Sequence, residues 1–167
     1  MVKEKGLDVL LQAWAEAGLE GARLVLVGDG PERDALEALA EKLEIRDGVQ
    51  FAGMQDELAR YYAAADVFVM PSRTEGLPMA LLEAGMAGRP VVVSDVGDMP
   101  GIVRESGGGW IVPAGDVQAL VAALQAAAQA GDDALRRMGT ALRGLVGRQY
   151  SAGAMAAAYG EVYGVAG

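Results

Sequence analysis

Glu75 and Glu83 stand with seven residues between them in the stretch Pro71-Ser72-Arg73-Thr74-Glu75-Gly76-Leu77-Pro78-Met79-Ala80-Leu81-Leu82-Glu83. A short apolar run over 67–70 stops at Pro71, and an apolar-periodic segment runs over about 78–87. That order predicts strand, glycine-containing loop, then helix. The first amides of such a helix, near Met79 and Ala80, have no partner within it and sit at the positive end of its dipole, which suits a phosphate. Glu75, just ahead of the helix, is placed to bond ligand hydroxyls. Glu83 is a lone carboxylate among Met79, Leu81, Leu82, Ala84 and Met86, a charge rarely buried without a partner. Taken by themselves, the two acids fit a bland reading better: Glu75 favouring the helix N-terminus and Glu83 facing solvent.

Other chemistry is restricted by what is missing. The 167 residues contain no cysteine and no histidine, so thiolate metal sites, disulfides and Ser-His-Asp or Cys-His catalysis within the chain are excluded. The available groups are carboxylates, Lys, Arg, Tyr and backbone amides, and no metal site is expected. A net charge of −9 works against nucleic acid or an anionic membrane surface as a general partner. Any anionic ligand needs a local site. The start, Met-Val-Lys-Glu-Lys-Gly, carries no apolar signal-peptide run, and no apolar stretch has spanning length, so the expected compartment is the cytoplasm.

The elements that must position these residues alternate between strand and helix periodicity, which predicts βα units on a mostly parallel sheet. Expected helices cover 7–17, 32–43 with Pro31 at its first turn, and a third from Asp56, as N-cap, to 65. Expected strands cover 24–27, 49–52, 67–70, 90–93 and about 110–112, with a short helix near 102–105. From Asp116 onward the pattern is helical in three alanine-rich pieces, 117–130, 133–146 and 151–165. Alanine favours helix but buries little area, so these pieces depend on docking. Gly28-Asp29-Gly30 either lines a ligand cleft or makes a tight turn, the turn being favoured. Tyr61-Tyr62 reads as helix packing, Arg73 as an exposed loop residue, and Lys5 alone as a solvated lysine.

The whole of these segments, in order, resembles family 4 retaining glycosyltransferases of the GT-B fold. Glu75 and Glu83 within Pro-Ser-x-x-Glu-Gly-Leu-Pro-Met-x-Leu-Leu-Glu are similar to that family's E-x7-E motif. Lys5-Gly6-Leu7 resembles its Lys-Gly helix start, Gly28-Asp29-Gly30-Pro31 its Gly-x-Gly-Pro turn, and 49–53 its Val-x-Phe-x-Gly strand. Ser94-Asp95-Val96-Gly97 and Val112-Pro113-Ala114-Gly115-Asp116 continue the match. The resemblance covers nearly the whole chain and implies the C-terminal, Rossmann-like, three-layer half of a GT-B enzyme, which binds a nucleoside diphosphate sugar.

By that resemblance Glu75 contacts sugar hydroxyls and Glu83 the ribose. Amides at the start of the following helix, from Gly76 and Leu77 to Met79 and Ala80, hold the diphosphate. Lys5 neutralises charge on the leaving group, the base lies against Gly53 and Met54, and Gly28 lines the cleft. The donor is a UDP- or GDP-sugar, with no cofactor. The family also has an Arg about five residues before the Lys, a strand before that, and an acceptor-binding domain, all of which fall before Met1. The implied activity is retaining sugar transfer once an acceptor domain is supplied by a longer parent or a partner chain. The alternative is a nucleotide-binding module or a subunit of a split enzyme without activity of its own. Met155, Tyr159, Val162 and Tyr163 suggest self-association through the last helix. Asp98 stands where the family often has glycine, and its carboxylate either repels a nearby phosphate or faces away.

Overall fold

The computed structural model describes residues 1–76 and 78–150. Leu77 and the expected helix at 151–165, with its proposed self-association stripe, lie outside the described residues.

After a 3-10 turn at Lys3–Lys5, the chain runs α1 (Leu7–Ala17), β1 (Leu24–Val27), α2 (Arg33–Lys42), β2 (Val49–Gly53), α3 (Leu58–Ala64) and β3 (Phe68–Met70). It continues with α4 (Met79–Met86), β4 (Val91–Ser94), α5 (Met99–Ser106), β5 (Gly109–Val112), α6 (Val117–Gln129) and α7 (Gly131–Gln149). Among the described residues the strand ladders are parallel: β1 with β2, β3 with β4, and β4 with β5. All five strands fall where the apolar runs place them, because short β-branched runs between glycine and proline breaks have no amphipathic helical alternative. β4 is buried along its whole length, as a strand covered on both faces must be.

Helices cover both faces. Leu24 and Leu26 of β1, Val49 of β2 and Val92 of β4 pack with Leu10, Leu11, Leu36 and Leu120 of α1, α2 and α6. On the opposite face, Val91 and Val93 of β4 and Met70 of β3 pack with Leu81, Ile102, Leu142 and Val146 of α4, α5 and α7. The result is the expected three-layer arrangement. The sheet, however, is in two pieces, β1-β2 and β3-β4-β5, with no ladder between β1 and β3 among the described residues. Residues 1–6 span the carboxyl ends of these two strands: the Glu32 amide donates to the Met1 carbonyl (3.2 Å) and the Arg73 amide to the Glu4 carbonyl (2.7 Å).

Four expectations need correction. Pro31 lies ahead of α2 rather than in its first turn, because a turn closed by the Arg33 amide on the Gly30 carbonyl moves the N-cap to Glu32. Asp56 does not cap α3. The Gln55 side-chain amide closes a turn onto the Ala52 carbonyl (2.6 Å), and the N-cap falls at Glu57, whose side chain makes no cap bond. α5 begins at Met99, three residues ahead of its expected start, since Pro100 is accommodated in the first turn, where its missing N–H costs nothing. α7 extends to Gln149. Its docking explains the added length, because the second half buries Leu142, Leu145 and Val146. Asp116 is a true N-cap, accepting from the Ala119 amide at 2.9 Å.

Alanine- and glycine-rich helices dock here through close approach as well as through their buried leucines. A Cβ on Gly139 of α7 would lie 1.9 Å from the Gly88 carbonyl oxygen, and one on Gly85 of α4 would lie 2.9 Å from Val146. Among the described residues, no helix is long and apolar enough to cross a membrane.

Candidate functional site

The loops that follow the strands bring the expected polar residues to the carboxyl ends of the sheet, the usual ligand side of a parallel α/β domain. Lys5 Nζ donates to Glu75 Oε1 at 2.6 Å, and the fully buried Ser72 hydroxyl donates to the same oxygen at 2.7 Å. The Glu75 side chain is 11% exposed and Lys5 47%, so the carboxylate is held in the floor while the ammonium reaches it from the rim.

Two close contacts fix this arrangement. Gly6 has φ +64°, and a Cβ there would lie 2.1 Å from the Pro71 carbonyl oxygen, so the Lys5-Gly6 corner presses directly on the loop after β3. Gly97, φ +56°, comes from the loop after β4, and a Cβ there would lie 2.5 Å from the Glu75 carbonyl oxygen. Only glycine allows both the left-handed turn and the contact. Arg73 then ties the loop to α1: Nη1 and Nη2 donate to the two Asp8 carboxylate oxygens at 2.7 Å each, and Nη1 also donates to the Lys3 carbonyl at 2.8 Å. The Arg73 guanidinium, chiefly through these hydrogen bonds, lowers the Asp8 pKa below its ordinary value despite some opposing burial. Arg73 is therefore a strut under Lys5 and Glu75 rather than a free loop residue.

α4 opens at Met79 behind Pro78. The Leu81 and Leu82 amides both donate to the Pro78 carbonyl, at 2.9 and 3.2 Å, so the amides of Met79 and Ala80 lie ahead of the first bonds of the helix. Met79 (54% exposed), Glu83 and Met86 share the outer face of α4, while Leu81, Leu82, Ala84 and Gly85 are buried. Glu83 is thus exposed, as the bland reading has it, yet it is not solvated alone: the Tyr62 hydroxyl donates to Glu83 Oε2 at 2.9 Å.

Gly28 and Gly53 meet at the ends of β1 and β2, where the Gly28 amide donates to the Gly53 carbonyl at 2.8 Å. Gly28 has φ +115° and Gly53 φ +69°, but the hydrogen-bonded turn falls at 30–33 rather than at the expected 28–30, the Arg33 amide donating to the Gly30 carbonyl at 3.1 Å. Met54 follows, 75% exposed. Asp29 accepts from the Gly30 amide (2.7 Å) and from Arg33 (3.3 Å), and the first of these bonds leads in lowering its pKa. Asp98 is exposed at the N-cap of α5 and makes no cap bond. Among the described residues, no group of three or more His, Cys, Asp and Glu gathers in metal-binding proximity.

Ser72 and Asp8 carry no role in the sequence reading, while Arg73 reads there as an exposed loop residue and Tyr62 as helix packing; the structure brings all four into this array. Ser72 stood inside the motif and Arg73 beside it, so their signal was position. Asp8 and Tyr62 carried none, being 65 and 21 residues from their partners.

Parallel strands, helices on both faces and polar groups gathered at the carboxyl ends define a Rossmann-like α/β domain. The chain belongs to the glycosyl transferases group 1 family, whose model matches residues 1–130. It is 39% identical over 124 residues to the lipopolysaccharide core biosynthesis glycosyltransferase LpsE of Rhizobium meliloti, covering 74% of this chain and 36% of that protein. It is also 39% identical over 123 residues to a GDP-mannose-dependent alpha-(1-6)-phosphatidylinositol monomannoside mannosyltransferase of Mycobacterium tuberculosis, covering 67% of this chain and 32% of that one. Among solved structures, sucrose-phosphate synthase from Thermosynechococcus elongatus superposes with a TM-score of 0.88 at 33% identity, covering 97% of this chain and 42% of that one. The chain thus spans about a third of the curated relatives' length. The expected identity, one Rossmann-like half of a GT-B glycosyltransferase, holds.

Proposed function

We propose that this domain binds a nucleoside diphosphate sugar and presents it for transfer, with retention at the anomeric carbon, to an acceptor held by a further domain or chain. The observation that carries the reading is the contact between Lys5 and Glu75 at 2.6 Å. A diphosphate drawn to the Lys5 ammonium places the sugar it carries beside the Glu75 carboxylate. That orders the ligand as phosphate, then sugar, along one loop. The Met79 and Ala80 amides add a positive helix end to the phosphate side, and Glu83, on the second turn of α4, takes the ribose hydroxyls. The base lies over Gly53 and Met54, with Gly28 beside it.

In the transfer, the bond between the anomeric carbon and the diphosphate oxygen breaks, and the acceptor oxygen bonds the same face while its proton passes to the departing diphosphate oxygen. Negative charge grows on the diphosphate. Lys5 and the α4 amides stabilise it in place, with little reorganisation. Glu75, accepting hydroxyl bonds, orients the ring. The mycobacterial relative's dependence on GDP-mannose supports a nucleotide-sugar donor.

A thermal-shift panel of UDP, GDP and their sugar conjugates tests this. At least one diphosphate should raise the melting temperature, as any ligand of the folded state must. If none does up to millimolar concentration, the donor-site reading fails.

A further inference from the structure

We propose that Tyr62 is a positioning residue for Glu83, holding its carboxylate in the orientation that receives the ribose hydroxyls. The inference rests on the donor-site reading above and extends it to a residue on another helix.

α3 is seven residues long and contributes no fully buried residue. What it offers to α4 is the Tyr62 hydroxyl, 2.9 Å from Glu83 Oε2. The ring is held independently of that bond: it meets Phe68 of β3 edge-on, with centroids 5.6 Å apart at 62°. The end of α3 is pinned as well, by Arg89 Nη2 donating to the Ala63 carbonyl at 2.9 Å. A half-buried, packed phenol therefore aims at an exposed carboxylate.

An exposed glutamate samples several rotamers, and a ligand that needs one of them must supply the ordering free energy when it binds. A bond from a fixed hydroxyl supplies that order beforehand. It occupies one lone pair of Oε2 and leaves Oε1 and the remaining Oε2 lone pair for a vicinal diol. Burial, reinforced by the neighbouring carboxylate, pushes the Tyr62 phenol pKa well up. The hydroxyl consequently stays a donor across the working pH range, and the positioning does not titrate away.

The test is calorimetry on the whole chain with UDP and GDP, each beside its 2′,3′-dideoxy analogue. For the diphosphate that binds, Tyr62→Phe should weaken affinity about tenfold, the effect of removing one hydrogen bond to a charged group. The same variant should leave the dideoxy analogue's affinity unchanged. On a Glu83→Ala background, Tyr62→Phe should add nothing. Phe keeps the ring against Phe68, and an unchanged melting temperature verifies the fold. Equal losses for the ribose and dideoxy forms would overturn the proposal by assigning Tyr62 a general packing role. An unchanged affinity in Tyr62→Phe, while Glu83→Ala weakens binding, would overturn it and leave the ribose assignment standing. An unchanged affinity in Glu83→Ala, or no binding of either nucleotide to the parent chain, would overturn the ribose reading and this proposal together.

Discussion

Lys5 and Glu75, 70 residues apart in the chain, touch at 2.6 Å because Gly6 lets the turn before α1 press onto the loop after β3. Glu75 is shared with the buried Ser72 hydroxyl, so the carboxylate stays in place when the lysine moves. The ammonium is the more accessible partner, nearly half exposed.

Lys5→Ala should therefore separate binding from stability. Lys5 is nearly half exposed and Ser72 keeps its hydrogen bond to the largely buried Glu75, so the pair contributes on the order of 1 kcal/mol and the melting temperature should move little. Losing a charge-assisted contact to phosphate should weaken nucleoside diphosphate binding by roughly tenfold or more, with the bare nucleoside unaffected. Calorimetry on the two ligands checks the split, and a parallel loss for both would remove Lys5 from the phosphate.

Gly97→Ala should damage the site more than the core. The new methyl would meet the Glu75 carbonyl oxygen at 2.5 Å, and φ +56° adds backbone strain of about 1 to 3 kcal/mol. Urea unfolding should show a loss on that order, accompanied by loss of donor binding as the 75–76 loop is displaced. Stability loss with intact binding would mean the loop yields without moving Glu75.

The Arg73–Asp8 pair predicts a pH dependence. The Asp8 pKa is depressed in the folded chain, so its contribution is present above the unfolded carboxylate value, near 4, and disappears as pH falls through the folded value. Asp8→Asn should flatten that acid limb of the stability curve while leaving its shape between pH 6 and 8 unaltered. Since Asp8 is partly exposed, the effect is screened and should shrink in high salt. Thermal melts at pH 3 to 7, at two salt concentrations, measure it.

Leu142→Ala should loosen α7. Leu142 is fully buried and sits against Gly85 of α4 and Gly108 ahead of β5, so its truncation opens a cavity costing about 2 to 5 kcal/mol. Denaturant melts should show that loss. A change below about 1 kcal/mol would mean that the helix docks elsewhere.

How much of this was legible beforehand divides along the range of the interactions. The five strands, the helix behind Pro78 and the placement of Glu75, Met79 and Ala80 around it follow from local signals: apolar periodicity, proline and glycine breaks, and the motif order. Asp56 shows where such signals stop, since a cap is decided by one residue of register and the Gln55 turn shifted it.

The parallel α/β architecture and the family follow from residue type and short-range pattern, and so does the choice of Lys5, Glu75 and Glu83 as candidates. Tertiary packing was needed to show that Lys5 meets Glu75, that Arg73 pairs with Asp8 and that Tyr62 reaches Glu83. Those are contacts between distant segments. Gly6 and Gly97 set the contacts around Pro71 and Glu75, and Phe68 sets the Tyr62 ring, through close approaches that periodicity does not encode.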